Sequence, residues 1–363
     1  MVVPDQLDAL LTHFQQYLVP VLPTPGHLRE AKQRAARVRR LLVFMGGIDR
    51  LGDRDKWARW IEALQGRLKP TTISNHLYDY VKFLNYLRIA PPDSQSSYSL
   101  SRSEIELVIN LVLTERHALK PAIAGHRLRV LEEKCSTLLT NVEMQQFVVL
   151  AMQAIPASLT ALDRDPQRAQ NFSRALGLLA GYILTLTGCR LSSIEGLSVA
   201  DVFGAQPLEG RPGYRLIRLG THKTSDRYGP ARFAINSLEH GWLLRFTSIR
   251  RRLPGYRASQ QLVFFNSAGN RHKKITPHVV LAYSRLIDRQ GATATAIRTA
   301  VTNVVKKKGT AAEQAIIMCS MGHGQHAREQ YYICPPKVYQ ARAAIERYLG
   351  LNRRPVVVIE KNV

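Results

Sequence analysis

The stretch of the chain best suited to chemistry is residues 321–332. Within it a histidine flanked by glycines, His323, is followed nine positions later by the second of two tyrosines, Tyr332. A tyrosine hydroxyl can act as a nucleophile when neighbouring groups help to remove its proton. On its own the stretch is a weak indication of an active site, because it does not contain all the groups that such a nucleophile needs.

Two arginines and a lysine upstream supply those groups. Arg190 ends the segment Thr187-Gly188-Cys189-Arg190, Arg298 ends Ala296-Ile297-Arg298, and Lys223 lies between them. Breaking a DNA strand without a metal requires a nucleophile for the phosphorus, cations for the charge on the non-bridging oxygens, and an acid for the leaving 5′-oxygen. Arginine suits the second task because its planar group holds two phosphate oxygens and stays charged. Lysine suits the third, since burial among other cations lowers its pKa.

Each of these residues also has an ordinary structural interpretation. A single arginine after a helix usually forms an ion pair, a histidine in a Gly-His-Gly turn is usually a turn residue, and one of two adjacent tyrosines usually packs in the core. Any one of these interpretations would prevail if its residue stood alone. Their occurrence together, in this order and on a chain of net charge +24, favours the catalytic interpretation.

The set resembles the catalytic motifs of the tyrosine recombinases, the phage-integrase superfamily. The residues that match in type, order and approximate separation are Arg190, Lys223, Arg298, His323 and Tyr332. The resemblance implies that Tyr332 attacks the phosphorus to form a 3′-phosphotyrosyl link. It implies that the two arginines and His323 hold the scissile phosphate and that Lys223 protonates the 5′-oxygen. It implies no cofactor and no metal.

The sequence departs from the family pattern at two positions. The family usually has a histidine three residues before the second arginine, where this chain has Thr295, which cannot accept a proton near neutral pH. An acidic residue is common three positions after the first arginine, where this chain has Ser193, with Glu195 two positions further on. Removal of the Tyr332 proton, whose ordinary pKa is about 10, then depends on His323 or on the cations. The small size and the altered second motif resemble the crypton-like recombinases of eukaryotic mobile elements.

Composition points independently to a polyanionic partner. The 363 residues include 51 lysines and arginines against 27 acidic residues. An excess of this size indicates nucleic acid, and the resemblance implies double-stranded DNA. A generally basic protein such as a ribosomal protein is the alternative, because charge alone gives only sequence-independent affinity.

The same composition predicts an intracellular protein. The four cysteines are scattered without a C-x-x-C pair, which favours reduced thiols over a metal or redox centre. The N-terminal residues lack the pattern of a secretory signal, and no window approaches about 18 uninterrupted apolar residues. We therefore expect no membrane partner, and a nuclear location in a eukaryote or a cytoplasmic or nucleoid location in a bacterium or phage.

Cations concentrate in the N-terminal part of the sequence. Arg29, Arg34 and Arg37 belong to a basic helix that begins near residue 27, and we expect them to contact the DNA backbone, with a merely solvated face as the alternative. Lys69 and Thr71 precede and open a further helix. A helix N-terminus with a cation and a hydroxyl is suited to binding phosphate.

Apolar periodicity predicts a mainly α fold with one small β-hairpin. The resemblance implies that residues 1–135 form a helical core-binding domain and that residues 136–354 form a tyrosine-recombinase catalytic domain. The boundary lies ahead of a capping box formed by Thr140 and Glu143. An apolar run in residues 355–363 predicts a C-terminal arm that docks on a neighbouring subunit, with pairing inside its own domain as the alternative.

These observations together predict a site-specific DNA recombinase or integrase that acts as a homo-oligomer on paired DNA sites. Two alternatives remain open at the level of the sequence. One is a catalytically impaired DNA-binding protein of the same fold, which Thr295 would favour. The other is a DNA-relaxing enzyme similar to the type IB topoisomerases, which shares the same chemistry.

Overall fold

The computed structural model describes residues 4–89, 100–136, 138–219, 231–272, 274–321 and 335–351. The chain divides into two compact units, Met1–Glu133 and Lys134–Val363. This division lies two residues ahead of the boundary expected from the sequence. The predicted C-terminal arm and the residues Lys223, His323 and Tyr332 lie outside the described ranges.

Every regular element described in the N-terminal unit is helical. Strong end signals explain where these helices begin, because the side chains of Thr24 and Ser101 each accept a hydrogen bond from the backbone three residues on and form capping boxes. Their apolar faces meet around Phe14, Trp57 and Tyr80. The helices are α1 (Pro4–Leu18), α2 (Pro25–Met45), α3 (Arg54–Gln65), α4 (Pro70–Ile89), α5 (Arg102–Ala118) and α6 (Lys120–Ser136), with a 3₁₀ turn over Ile48–Arg50.

The C-terminal unit combines helices with one small antiparallel sheet, as the sequence predicted. The capping box at Thr140 is confirmed. The helices are α7 (Asn141–Arg164), α8 (Ala169–Thr187), α9 (Leu191–Glu195), α10 (Val199–Phe203), α11 (Ser237–Ile249), α12 (Thr276–Ile287), α13 (Ala294–Lys308), α14 (Ala311–Ser320) and α15 (Pro335–Tyr348). The strands are β1 (Gln206–Pro207), β2 (Tyr214–Leu219) and β3 (Ala231–Asn236).

The sheet has the order β1-β2-β3. The predicted hairpin is confirmed as the β2–β3 pair, which runs from Tyr214 opposite Asn236 to Leu219 opposite Ala231. Strand β1 was not predicted, because two residues that include Pro207 are too short to show an alternating pattern. The eleven residues between Leu219 and Ala231, which include Lys223, lie outside the described ranges.

Helix α8 lies at the centre of the larger core and packs against α7 and α12. All its residues from 175 to 187 are buried. The approach to α12 is so close that a Cβ at Gly177 would lie 2.2 Å from the carbonyl oxygen of His278. The ring of Phe147 from α7 stacks on that of Tyr283 from α12 at 3.6 Å. The helix that ends at the Thr187–Arg190 motif is thereby held on two sides.

Among the described residues, α7 is the one helix long and apolar enough to cross a membrane by length and composition. Its buried side chains, which include Met144, Phe147, Ala151 and Leu159, belong to the largest core cluster. Burial in that core accounts for its apolar composition.

The end of the described chain is bound to the beginning of the same unit. Asn141 donates from its side-chain amide to the carbonyl oxygen of Tyr348 at 2.6 Å, and Gln145 donates to that of Gly350 at 3.2 Å. Glu313 on α14 accepts hydrogen bonds from Arg347 and from the hydroxyl of Tyr348. Helix α15 is therefore attached to both α7 and α14.

Candidate active site and nucleic-acid interface

A tight turn at the end of α8 places the first predicted arginine. The helix ends at Gly188, whose φ of +59° is left-handed and suits glycine. Arg190 then forms the half-buried N-cap of α9. The turn ends α8 and starts α9 within three residues.

The second predicted arginine lies on α13 and joins two other segments. Arg298 donates from Nε to the carbonyl oxygen of Gly188 at 2.9 Å and from Nη2 to that of Met321 at 2.7 Å. The Met321 side chain lies against Gly188. A Cβ added to Gly188 would be 2.8 Å from Cε of Met321. Three segments that are distant in the sequence therefore meet at Arg298.

The two arginines are near enough to affect each other electrostatically. Burial lowers the pKa of the Arg298 guanidinium; Cys189 acts to raise this pKa, and the positive charge of Arg190 lowers it further. The group still remains charged, because an arginine pKa starts above 12. A partly buried pair of cations is suited to an anion whose negative charge grows during a reaction, such as a phosphoryl group in transfer.

Cys189 directly precedes Arg190 and interacts electrostatically with Arg298, but it does not provide a nucleophile. Its side chain is buried, and burial raises the pKa of the thiol to about 11. The thiolate is the reactive form of cysteine, so this residue is inert at neutral pH.

Thr295 lies one helical turn before Arg298 on α13. Residues three positions apart share a helix face, which places Thr295 beside the arginine as the family pattern requires. Its side chain is exposed, and its carbonyl oxygen accepts a hydrogen bond from the Thr299 hydroxyl at 2.8 Å. The structure therefore provides space at this position, although threonine cannot supply a base.

Glu195, the other predicted supporting residue, contacts a different arginine. It forms an ion pair with Arg271 at 3.6 Å, and Arg271 also donates to the carbonyl oxygen of Ser192 at 2.7 Å. The pair attaches the segment before α12 to α9. Nothing in the sequence indicated Arg271, because its partners are about 80 positions away.

The remaining predicted catalytic residues adjoin described elements. His323 follows Met321 by two positions, and Tyr332 precedes the first residue of α15 by three. Lys223 follows the last residue of β2 by four. Because these three residues lie outside the described ranges, their roles stay predictions from the sequence.

In the N-terminal unit, two of the predicted DNA-binding arginines have an intramolecular partner that the sequence did not indicate. Arg37 donates to Asp79 on α4 at 2.5 Å, and Arg34 lies 3.5 Å from the same carboxylate. The Asp79 side chain is 4% exposed, so it requires a nearby cation. Arg34 and Arg37 therefore hold α2 against α4, whereas Arg29 on the same helix is exposed.

Helix α4 presents a second set of cations that sequence reasoning missed. Tyr78 is 41% exposed, and its ring lies 5.0 Å from Nζ of Lys82 and 5.1 Å from the guanidinium of Arg116 on α5. Arg116 also donates to the Ser74 hydroxyl at 3.3 Å. Thr71, Ser74, Tyr78 and Lys82 fall on one stripe of α4, and Arg116 reaches this stripe from α5. We call these five residues the α4 surface.

The α4 surface has the composition of a nucleic-acid contact. Cations serve the phosphates, hydroxyls donate to them, and an exposed aromatic ring can pack on a sugar or a base. Lys69 lies exposed just before the helix, and its carbonyl oxygen accepts from the backbone of Thr72 at 2.8 Å. The spacing of positions 71, 74, 78 and 82, opposite the buried stripe of the same helix, is the signal that could have revealed this surface.

Comparison with known proteins places this geometry in a known fold. No protein-family model and no curated protein matches the sequence. The structure of the XerH site-specific recombinase bound to difH substrate, a pre-cleavage complex, matches with a TM-score of 0.54 and 13% identity over 92% of this chain and 95% of that chain. This chain has the tyrosine-recombinase fold.

Two further recombinase structures match less closely in shape. A post-cleavage complex of XerH with a palindromic difH substrate has a TM-score of 0.49 at 13% identity, covering 94% of this chain and 93% of that chain. The XerA recombinase has a TM-score of 0.33 at 13% identity, covering 96% and 99%.

Within the tyrosine-recombinase fold, the described residues bring together two of the five predicted catalytic side chains. The charge of Arg190 acts on Arg298, and Arg298 is hydrogen-bonded to Gly188 in the turn after α8 and to Met321, which leads into the segment that carries His323. The described ranges contain no group of three or more His, Cys, Asp or Glu side chains that could hold a metal ion. The chemistry that these described residues can support is electrostatic binding of a phosphoryl group.

Proposed function

We propose that this protein is a site-specific DNA recombinase or integrase that cleaves and rejoins strands through a phosphotyrosine. The observation that supports this most strongly is that Arg298 lies within electrostatic range of Arg190 and is hydrogen-bonded both to Gly188, two residues before Arg190, and to Met321, the residue before Gly322-His323. In this fold such a cationic pair serves the scissile phosphate. The likeness to XerH supports the fold, and the net charge of +24 supports DNA as the partner.

The proposed reaction exchanges one phosphodiester bond for another. The hydroxyl oxygen of Tyr332 attacks the phosphorus and gives its proton to His323 or to a water molecule. The bond to the 5′-oxygen breaks, and Lys223 gives a proton to that oxygen. Arg190, Arg298 and His323 hold the non-bridging oxygens while their charge increases. A free 5′-hydroxyl of another strand then attacks the phosphorus and gives its proton to Lys223. The bond between phosphorus and Tyr332 breaks, the tyrosine oxygen regains a proton, and a DNA phosphodiester is restored. No metal or cofactor takes part in this proposal.

We further propose that the enzyme assembles as a homo-oligomer on paired double-stranded sites, since one active site cleaves one strand and exchange needs several. The basic N-terminal unit, with the α4 surface, supplies sequence-independent affinity for the backbone in this proposal. An origin in a eukaryotic mobile element of the crypton kind is proposed on the altered second motif and on the size of the chain.

One observation favours a second candidate function. Thr295 occupies the position of the usual histidine and cannot accept a proton, so a protein that binds DNA without turning over is the alternative. The arginine pair would then be retained for binding alone.

The decisive experiment is covalent trapping. We would incubate the protein with a library of nicked DNA duplexes of randomised sequence. Cleavage beside the nick releases a short strand, and its loss prevents rejoining. We would then denature the protein and isolate the DNA that stays attached to it. We expect wild-type protein to retain DNA at enriched sequences, Tyr332→Phe to retain none while binding DNA normally, and Tyr331→Phe to behave as wild type.

Other outcomes identify the alternatives. Normal binding without an adduct in the wild type would support the impaired DNA-binding protein. Adducts without sequence preference, together with relaxation of a plasmid, would support the topoisomerase-like enzyme. Loss of the adduct in Tyr331→Phe and its retention in Tyr332→Phe would show that the nucleophile is misassigned.

A further inference from the structure

A buried arginine lies at the centre of α15, the helix that follows the proposed nucleophile. The Arg342 side chain is 2% exposed. It donates from Nη2 to Glu239 at 2.6 Å and from Nε to Glu346 at 2.9 Å, and its Nη1 lies 3.3 Å from the carbonyl oxygen of Ala234. One guanidinium therefore contacts α15 itself, α11 and strand β3.

The two carboxylates have further partners. Glu239 accepts from the backbone and from the side-chain amide of Asn236, both at 3.0 Å, and so caps α11. Glu346 accepts from the hydroxyl of Tyr214 on β2 at 3.3 Å. Burial, assisted by the charge of Glu346, raises the pKa of Tyr214 to about 12, so this hydroxyl keeps its proton. We call Arg342, Glu239, Glu346 and Tyr214 the Arg342 network.

Apolar packing would attach α15 to the sheet without this network. Val338 packs against Leu208 and Leu216, and the rings of Tyr339 and Tyr214 meet edge to face at 4.8 Å. Hydrophobic contact has little directionality, whereas a planar guanidinium with three acceptors permits one arrangement. Replacing a buried ion pair with apolar residues of the same volume often leaves a fold equally stable or more stable. The network therefore fixes geometry more than it adds stability.

Two elements that the network joins lead directly to proposed catalytic residues. Helix α15 begins three positions after Tyr332, and Arg342 lies in the middle of that helix. Tyr214 and Ala234 belong to the two strands whose other ends, Leu219 and Ala231, flank the segment with Lys223. The segments that carry the proposed nucleophile and acid are therefore adjacent in the sequence to elements that this network joins.

We propose that Arg342 is a positioning residue. It fixes α15, which follows Tyr332 in the sequence, relative to strands β2 and β3, which flank the segment with Lys223. The Arg342 side chain is 2% exposed, so in this proposal it acts through α15 and the β2–β3 hairpin and not by contact with DNA. This inference rests on the proposed function.

The test uses the full-length protein and separates chemistry from binding and folding. Arg342→Met alone would strand two buried carboxylates, so it is combined with Glu239→Gln and Glu346→Gln. Each glutamine keeps one carbonyl oxygen, which can accept from the backbone of Asn236 in one case and from the hydroxyl of Tyr214 in the other. The matched control is Arg347→Met, which removes an exposed arginine from the same helix. Each protein is measured for melting temperature, for DNA affinity and for the single-turnover rate of adduct formation on a trapped sequence.

We expect the triple variant to fold, to bind DNA within about twofold of wild type and to form the adduct at least tenfold more slowly. Arg347→Met should stay within about twofold on both measurements. A wild-type rate in a folded triple variant would overturn the proposal, as would equal losses of rate and affinity or an equal loss of rate in Arg347→Met. Failure of the wild type to form any adduct would instead overturn the proposed function, and this inference with it.

A milder variant keeps the proposal testable if the triple variant does not fold. Tyr214→Phe removes only the hydroxyl that holds Glu346, and the ring can keep its packing on Tyr339. We expect about a threefold slower adduct rate with unchanged DNA affinity. A rate equal to that of wild type in this variant would overturn the proposal.

Discussion

The guanidinium of Arg298 donates to the carbonyl oxygen of Met321 at 2.7 Å while it also donates to that of Gly188 at 2.9 Å. These two carbonyls end the segments that lead into Gly322-His323 and into Cys189-Arg190. Arg298 therefore has two tasks in the proposed site, because it supplies positive charge and holds together the backbone that carries its partners. A lysine could replace the charge but not the fixed planar spacing of the two nitrogens, Nε and Nη2, that donate to the two carbonyls.

The first prediction concerns the two arginines. Arg190→Ala and Arg298→Ala should each slow adduct formation by about 10²-fold or more with little change in DNA affinity, because they act on charge that develops in the transition state. Arg298→Ala should also lower the free energy of unfolding by about 1–3 kcal/mol, since two buried carbonyls lose their donor. Single-turnover trapping and thermal unfolding measure these effects. Equal losses of DNA affinity and cleavage rate would contradict the prediction that the two arginines act chiefly on the transition state.

The second prediction concerns which cations meet DNA. Lys82→Ala and Arg116→Ala should weaken binding and each reduce the slope of log affinity against log salt by about one. Arg37→Ala should chiefly lower the melting temperature, because it removes a partner from buried Asp79. Binding titrations between about 50 and 200 mM salt distinguish these outcomes. A full unit of salt slope lost in Arg37→Ala, with unchanged stability, would show that Arg37 contacts phosphate instead.

The third prediction tests the threonine on α13. Thr295→His places an imidazole one turn before Arg298 at an exposed position, so it should fold normally. If proton transfer limits cleavage, the variant should form the adduct faster, by up to about tenfold, most clearly near pH 7. The pH dependence of single-turnover rates in wild type and variant provides the measurement. A slower variant at every pH would mean that the site is adapted to threonine.

The fourth prediction concerns acid stability. Hydrogen bonds from Tyr348, Thr310 and Arg347 lower the pKa of Glu313 from its ordinary 4.5 to about 2. A carboxylate with a lowered pKa stabilises the fold fully above pH 4.5, and this contribution disappears as the pH falls toward 2. Glu313→Gln should therefore melt below wild type at pH 6, and the difference should shrink by pH 2.5. A difference independent of pH would indicate lost packing instead of lost charge.

Local signals explain the part of the fold that the sequence could predict. The capping boxes at Ser101 and Thr140 and the alternation along β2 depend on residues within a few positions of one another. The two arginine motifs were likewise visible, because each is a short segment beside a helix end.

Pairs of residues that are distant in the sequence explain which features could not be predicted from it. Asp79 is 42 positions from Arg37, and Glu239 is 103 positions from Arg342, so neither partner leaves a trace in local periodicity. A basic helix and a single arginine look alike in sequence whether their charges face solvent or a buried carboxylate. The α4 surface was missed for a related reason, because Arg116 reaches Tyr78 from a different helix.

The contact between Asn141 and Tyr348 spans 207 positions of the chain and has a kinetic consequence. Contacts between distant positions form late, because a long loop must close before they yield any stabilisation. The N-terminal unit can fold while synthesis continues, since domains fold as units in order of emergence. Helix α7 can instead form its contact with α15 only after α15 has been synthesised. A nascent chain therefore completes this core, and with it the proposed site, only when residues near 350 have left the ribosome.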